Sequence, residues 1–275
     1  MRNFEAWQSK GHAHFFDSKV YFHSYSLGRV YDNFTEIRLL NKYLPKSDNA
    51  TLVEIGCAGG ELYRYFKRYY PKVDYTGCDV SKAAIELAEA KYPSGKFIAT
   101  DPDLSQLKGL RFDYLFSRDV VLHQDDPFGF LKIVCSVPTK AAILRLRTRD
   151  VGKTELDIEK SCQYYMGSWV PFIIINSDEL IAFLKSLKRC SRIVMAKDYM
   201  PLGGLNYRYL PKECYLESTG TAETAIYIEF RDDSREPAVE ISSVKEHYSI
   251  PVVDRVVYKA IKHLLRPGPK SRVWW

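Results

Sequence analysis

The sequence predicts an α/β fold: a mostly parallel, doubly wound sheet with helices on both faces. Three observations carry that expectation. Apolar strand-like and amphipathic helix-like segments alternate from residue 33 to about 230. A small-residue turn, Gly56-Cys-Ala-Gly-Gly60, follows the first strand. Acids stand at the ends of the first three strands, Glu54, Asp79 and Asp101.

Each element has its own signal. Residues 33–44 carry apolar positions at 34, 37, 39, 40, 43 and 44, which is helical spacing, and end at Pro45. Strand 51–55 leads through the glycines into a helix over 60–70 opened by Glu61. Strand 74–78, helix 81–91 and strand 96–99 follow, then strand 112–116, helix 127–136 and strand 141–147. Asp126 before Pro127 reads as a helix N-cap with proline at the first helical position. Beyond 147 come a helix over 178–187, a strand over 192–199 and a final strand over 224–231. Two long aromatic-rich loops, 148–176 and 200–223, interrupt them. Loops this long inside a compact domain are usually functional.

The turn at 56–60 has a physical rationale. A backbone that passes close under a ligand needs residues without bulk. A nicotinamide dinucleotide is the first competitor for such a turn. Its pyrophosphate sits on a helix N-terminus, however, and Glu61 placed there repels it. A zwitterionic cofactor with a positive centre suits this charge pattern better. Alanine disfavours positive φ, so residue 58 is expected outside the left-handed region.

The motifs VEIGCAGGE, YTGCDVS, FIATDPDL and FDYLFSRDVVLHQ resemble the class I S-adenosylmethionine-dependent methyltransferases in order and spacing. The resemblance is strong over residues 50–150. It implies a seven-stranded Rossmann-like sheet and S-adenosyl-L-methionine as cofactor. It further implies that Glu54 organises the loop Gly56, Ala58 and Gly60 under the cofactor's methionine part. By the same resemblance Asp79 takes the ribose hydroxyls, Val80 lies against the adenine, Asp101 accepts the adenine amino group, and Ser117 begins the wall beside the sulfonium. The chain then divides into an N-terminal arm and helix (1–48), the methyltransferase domain (49–232) and a basic tail (233–275).

For the reaction itself, methyl transfer needs an aligned acceptor lone pair and, for a hydroxyl, a base or metal. His123, just past the fourth strand, is the candidate base, with Asp119, Asp125 and Asp126 nearby. Tyr164, Tyr165, Trp169 and Tyr207, in the two long loops, are the candidate acceptor pocket. The arm holds Trp7, His12, His14, His23 and Tyr25 and reads as a cover for the cleft. No acid or cysteine completes a metal ligand set there, so no metal is expected.

Composition narrows the function. With 46% hydrophobic and 27% charged residues the chain is globular. Six scattered cysteines without a Cys-x-x-Cys pair read as reduced thiols, and no leader-like run opens the chain, so a cytoplasmic setting is expected. The net charge is +6, yet residues 251–275 alone hold six Lys or Arg against Asp254. The rest is near neutral, which disfavours a nucleic-acid substrate. No Asn-Pro-Pro-Tyr motif follows the fourth strand, which weakens nucleobase-amine and glutamine methylation. The expected acceptor is a hydroxyl or amine of a small molecule, sugar or lipid-linked glycan. The alternatives are an RNA or protein methyltransferase, or a silent interaction module. Residues 252–266 pattern as a cationic amphipathic helix before Trp274 and Trp275. That tail would lie on the inner face of a membrane, pack on its own domain, or form a homodimer contact.

Overall fold

The computed structural model describes residues 4–8, 34–165, 167–202, 208–211, 214, 220–232 and 236–244. The order is α1 (Phe4–Gln8), α2 (Thr35–Tyr43), β1 (Ala50–Ile55), α3 (Tyr63–Tyr69), β2 (Val73–Asp79), α4 (Lys82–Lys91) and β3 (Lys96–Ala99). Then come β4 (Phe112–Arg118), α5 (Pro127–Ser136), β5 (Pro138–Arg149), β6 (Cys162–Tyr165), β7 (Ser168–Pro171), β8 (Ile175–Asn176) and α6 (Ser177–Ser186). The chain closes with β9 (Cys190–Tyr199), β10 (Arg208–Tyr209), β11 (Ala222–Phe230) and β12 (Ala238–Ser243).

The main sheet runs β12-β9-β11-β5-β4-β1-β2-β3, with β8 added beside β5. β11 is antiparallel to both of its neighbours, and the other pairs are parallel. After β1 the chain winds outward through β2 and β3, then returns to β4 on the other side of β1. Ligands of such sheets bind at that reversal, beyond the carboxyl ends of the strands.

Strand alternation sorts the core onto two faces. Val53, Ile55, Leu115, Leu144 and Leu146 face α5 and α6 through Phe130, Leu131, Leu180 and Leu184. Leu52, Phe116, Ile143, Ala225 and Tyr227 face the other way, onto Ile37 and Leu40 of α2 and Tyr65 and Phe66 of α3. Strands buried on both faces read as unbroken apolar runs, as parallel strands do.

Four sequence expectations are corrected. The sheet has nine strands among the described residues, not seven. It also continues past residue 232, because β12 pairs with β9 from Ala238↔Arg192 to Ser243↔Lys197. β12 is a short, largely exposed edge strand whose period-two signal is limited to Val239 and Ile241. The helix expected over 60–70 begins only at Tyr63, because the turn that starts at Gly56 continues through Leu62. The two long loops hold a three-stranded antiparallel ribbon, β10-β6-β7. Asp126, by contrast, caps α5 as expected, its Oδ1 accepting the Gly129 N–H at 2.9 Å. Among the described residues no helix is long and apolar enough to cross a membrane. The tail helix expected over 252–266 lies outside the described residues, as do His12, His14, His23, Tyr25 and Tyr207.

Candidate active site

The turn after β1 is built by three residues in the left-handed region: Gly56 (φ 80°), Ala58 (φ 47°) and Gly60 (φ 75°). Ala58 is therefore where the sequence did not expect it. Its N–H donates to Asp79 Oδ2 at 2.9 Å, and Gly60 N–H closes the turn on the Cys57 carbonyl at 2.9 Å. The tertiary bond to Asp79, with the local turn bond closing at Gly60, outweighs alanine's modest preference. A Cβ at Gly56 would run into the Val120 side chain, and one at Gly60 would lie 2.8 Å from the Phe97 ring. Both positions need glycine for space as well as for φ.

Asp79 ends β2 nearly buried, at 7% exposure. Its second oxygen accepts the Ser81 N–H at 2.9 Å. Burial pushes its carboxyl up, and the N–H groups of Ser81, Ala58 and Val80 pull it back. A carboxylate has more lone pairs than these bonds use, so it can take ribose hydroxyls as well. Glu54 lies behind it, buried, and accepts a hydrogen bond from Tyr75 Oη. Burial raises the Glu54 carboxyl to about 8, against the Tyr75 bond, with Glu61 adding to the rise. Val80 is half-buried beside Asp79. Asp101 is exposed after β3, where Gln106 Nε2 donates to its Oδ2 at 2.7 Å. Ser117 is buried, and its hydroxyl donates to the Ile55 carbonyl at 3.0 Å, tying β4 to β1. Ser117 thus braces the wall from behind.

His123 sits in a short 3-10 turn, 121–123, beyond β4. Its Nδ1 lies 2.8 Å from the Pro171 carbonyl oxygen. A carbonyl only accepts, so Nδ1 carries the proton and Nε2 the lone pair. Trp7 of α1 packs on the imidazole, ring centroids 4.5 Å apart, and stacks on Tyr165 at 4.8 Å. Phe172 approaches the imidazole from another side at 6.0 Å. Burial holds the imidazole down, to about 4, against the upward pull of the Pro171 carbonyl and Asp119.

Pairing across the ribbon separates the three described aromatics of the group that the sequence put together, Tyr164, Tyr165 and Trp169. Tyr164 opposes Trp169, and Tyr165 opposes Ser168. Successive residues of a strand point to opposite faces, so Tyr165 turns in toward Trp7. Tyr164 (49% exposed), Trp169 (41%) and Tyr209 (56%) lie outward in mutual contact, with centroids 5.3 and 5.0 Å apart. Tyr164 and Trp169 thus face away from Tyr165. Tyr165 stacks on Trp7, which covers His123.

A charged network beside His123 went unnoticed in the sequence. Arg145 and Arg147 continue the Ile143 row of β5 onto the face covered by α2. There Glu36, in the first turn of α2, is fully buried. Its Oε1 lies 3.1 Å from Arg118 Nε and 3.5 Å from Arg145 Nη1. Glu223 of β11 bridges Arg145 and Arg147, the latter at 2.7 Å, and Arg147 also bonds Asp119 at 2.7 Å. The available signal was the alternation Arg-Leu-Arg-Thr-Arg at 145–149 inside a strand buried on both faces.

The comparisons with known proteins agree with this architecture. Residues 53–137 match the model of a family described as a methyltransferase domain. No curated protein matches the sequence. The O-methyltransferase of a trans-AT PKS multienzyme of Brevibacillus brevis, in complex with S-adenosyl-L-homocysteine, aligns with a TM-score of 0.54. It is 15% identical over 94% of each chain. StiE O-MT residues 961–1257 align at 0.52 with 12% identity, covering 73% of this chain and 74% of that one. The CurJ carbon methyltransferase aligns at 0.50 with 13% identity, over 82% and 60%. Identities this low speak to the fold. With the methyltransferase-domain match over residues 53–137 they define a class I methyltransferase fold, whose cofactor is S-adenosyl-L-methionine. The glycine cradle and the buried Asp79 carboxylate suit that cofactor, whose sulfonium supplies an activated methyl group.

Proposed function

We propose that the protein methylates a hydroxyl or amine of a small-molecule acceptor, sugars and lipid-linked glycans included, with His123 as general base. The observation that carries this reading is the Nδ1 bond to Pro171. It leaves Nε2 as a lone pair on an oriented ring, beyond the carboxyl end of β4, and a ring held near 4 is neutral at physiological pH. The cofactor's sulfonium would supply the methyl group to the acceptor's oxygen or nitrogen, and His123 Nε2 would take the proton that the acceptor loses. Trp7 and Tyr165 limit water above the ring. The test uses labelled S-adenosylmethionine and a small-molecule extract, comparing wild type with His123→Gln. Loss of incorporation with intact S-adenosylhomocysteine binding supports the reading, and an unchanged rate ends it.

For the setting we propose the cytoplasm, with the tail of residues 251–275 on an anionic membrane face. Support comes from six basic residues against one acid in that span, beside an apolar stripe at 253, 256, 257, 260, 261, 264 and 265. Sedimentation with anionic vesicles, for the full chain and for one ending at Ser249, tests this. Binding by neither at low salt removes it.

A further inference from the structure

Asp119 is one of three non-glycine residues in the left-handed region among the described residues, with φ 58°. It stands between β4 and the turn that carries His123, so its conformation sets where that turn goes. Non-glycine residues hold such a conformation when their surroundings over-determine it. Here the backbone is fixed by the Asp119 N–H, which donates to the Arg145 carbonyl at 3.0 Å. The side chain is fixed by Arg147 at 2.7 Å, with Arg145 Nε and Arg118 Nε at 3.8 and 3.9 Å. Those three guanidiniums are anchored in turn by buried Glu36 and by Glu223. Downstream, Val120 lies over Gly56, and the His123 N–H donates to the Val120 carbonyl at 3.1 Å.

We propose that Asp119 is a positioning residue. Its carboxylate, clamped by Arg147, Arg145 and Arg118, locks the 119–123 turn. The locked turn places Val120 against the Gly56 turn and the His123 imidazole against Pro171 and Trp7. This rests on the reading of His123 as the base, and it adds a physical link between the cofactor turn and that base. The charges acting on His123 have opposite signs: Asp119 pulls its titration up, while Arg147 and Arg208 push it down. Burial would raise the Asp119 carboxyl, but the guanidiniums of Arg145, Arg147 and Arg118 hold it well below the usual range, so it stays anionic.

The experiment follows the His123 ring resonance by NMR against pH in the full chain, assigned by its loss in His123→Gln. Asp119→Asn should move the titration down and Arg147→Gln should move it up. Opposite signs report that the 119–123 turn holds the imidazole beside both charges, and the affinity below reports whether Asp119 holds the turn. In parallel, S-adenosylhomocysteine affinity should fall roughly tenfold in Asp119→Ala. It should fall by less, roughly threefold, in Asp119→Asn, because asparagine tolerates the left-handed region but loses the charged bonds to the guanidiniums. Unmoved titrations, shifts of the same sign, or wild-type affinity in Asp119→Ala overturn the proposal. An unchanged methyl-transfer rate in His123→Gln would end only the base reading, since neither readout here requires turnover.

Discussion

The two sides of the cleft are held together by different means. On the cofactor side, backbone groups do the holding. Asp79 takes N–H groups from Ala58 and Ser81, and Gly60 closes on Cys57. On the His123 side, side chains from distant segments do it: Trp7, Tyr165 and Phe172 around the ring, and Arg145, Arg147 and Glu223 around Asp119. A site made of backbone turns tolerates little change in residue size. A site made of side chains can change its acceptor while the sheet beneath it stays the same.

The comparison is broken most directly at His123. His123→Gln should reduce methyl transfer by about 10²–10⁴-fold, the usual contribution of a general base, with S-adenosylhomocysteine affinity nearly unchanged. Calorimetry beside a rate assay separates the two effects. A parallel loss of binding would mean that the two sides are not independent.

Gly56→Ala should cost about 2–4 kcal/mol in urea unfolding, from left-handed strain plus the collision with Val120. Adding Val120→Ala should recover the collision part only. A double variant no better than the single one would show that space at Gly56 is not limiting.

Asp79→Ala should weaken S-adenosylhomocysteine binding by about 2–3 kcal/mol, through charge-assisted hydrogen bonds lost to ribose and to the Ala58 N–H. Unchanged affinity in the folded variant would remove Asp79 from the cofactor site.

Glu54 sharpens the contrast through pH. Its folded value is raised to about 8 from an ordinary 4.5, so the folded state holds the extra proton between those values. Stability should therefore fall as pH rises through that window, by about 1 kcal/mol per unit, and level off above it. Glu54→Gln should flatten this slope. Equal slopes in the two proteins would mean that Glu54 is ionised throughout.

The smallest effect is expected at Trp169. Trp169→Ala removes a half-exposed ring that contacts Tyr164 and Tyr209 and should cost about 0.5–1.5 kcal/mol. A larger loss would show that the outer face of the ribbon is packed.

What the sequence determined by itself is the doubly wound sheet and the cofactor turn. Their signals are local: apolar runs of strand length, small residues at the turn, and a carboxylate at each strand end, all within one strand–turn–helix repeat. Ala58 shows the limit of local reading, because its left-handed backbone is decided by the Asp79 carboxylate and not by alanine's own preference. Tyr164 and Tyr165 show it again. Adjacent in sequence, they turn to opposite faces once β6 pairs with β7. β12 was hidden because the alternation of Val239 and Ile241 is too short a signal to mark an exposed edge strand. Only the tertiary structure brought Trp7 to His123, and Glu36 and Glu223 to the arginines of β4 and β5. Contacts between residues so far apart in the chain come from sheet order and helix packing, which no short stretch of sequence encodes.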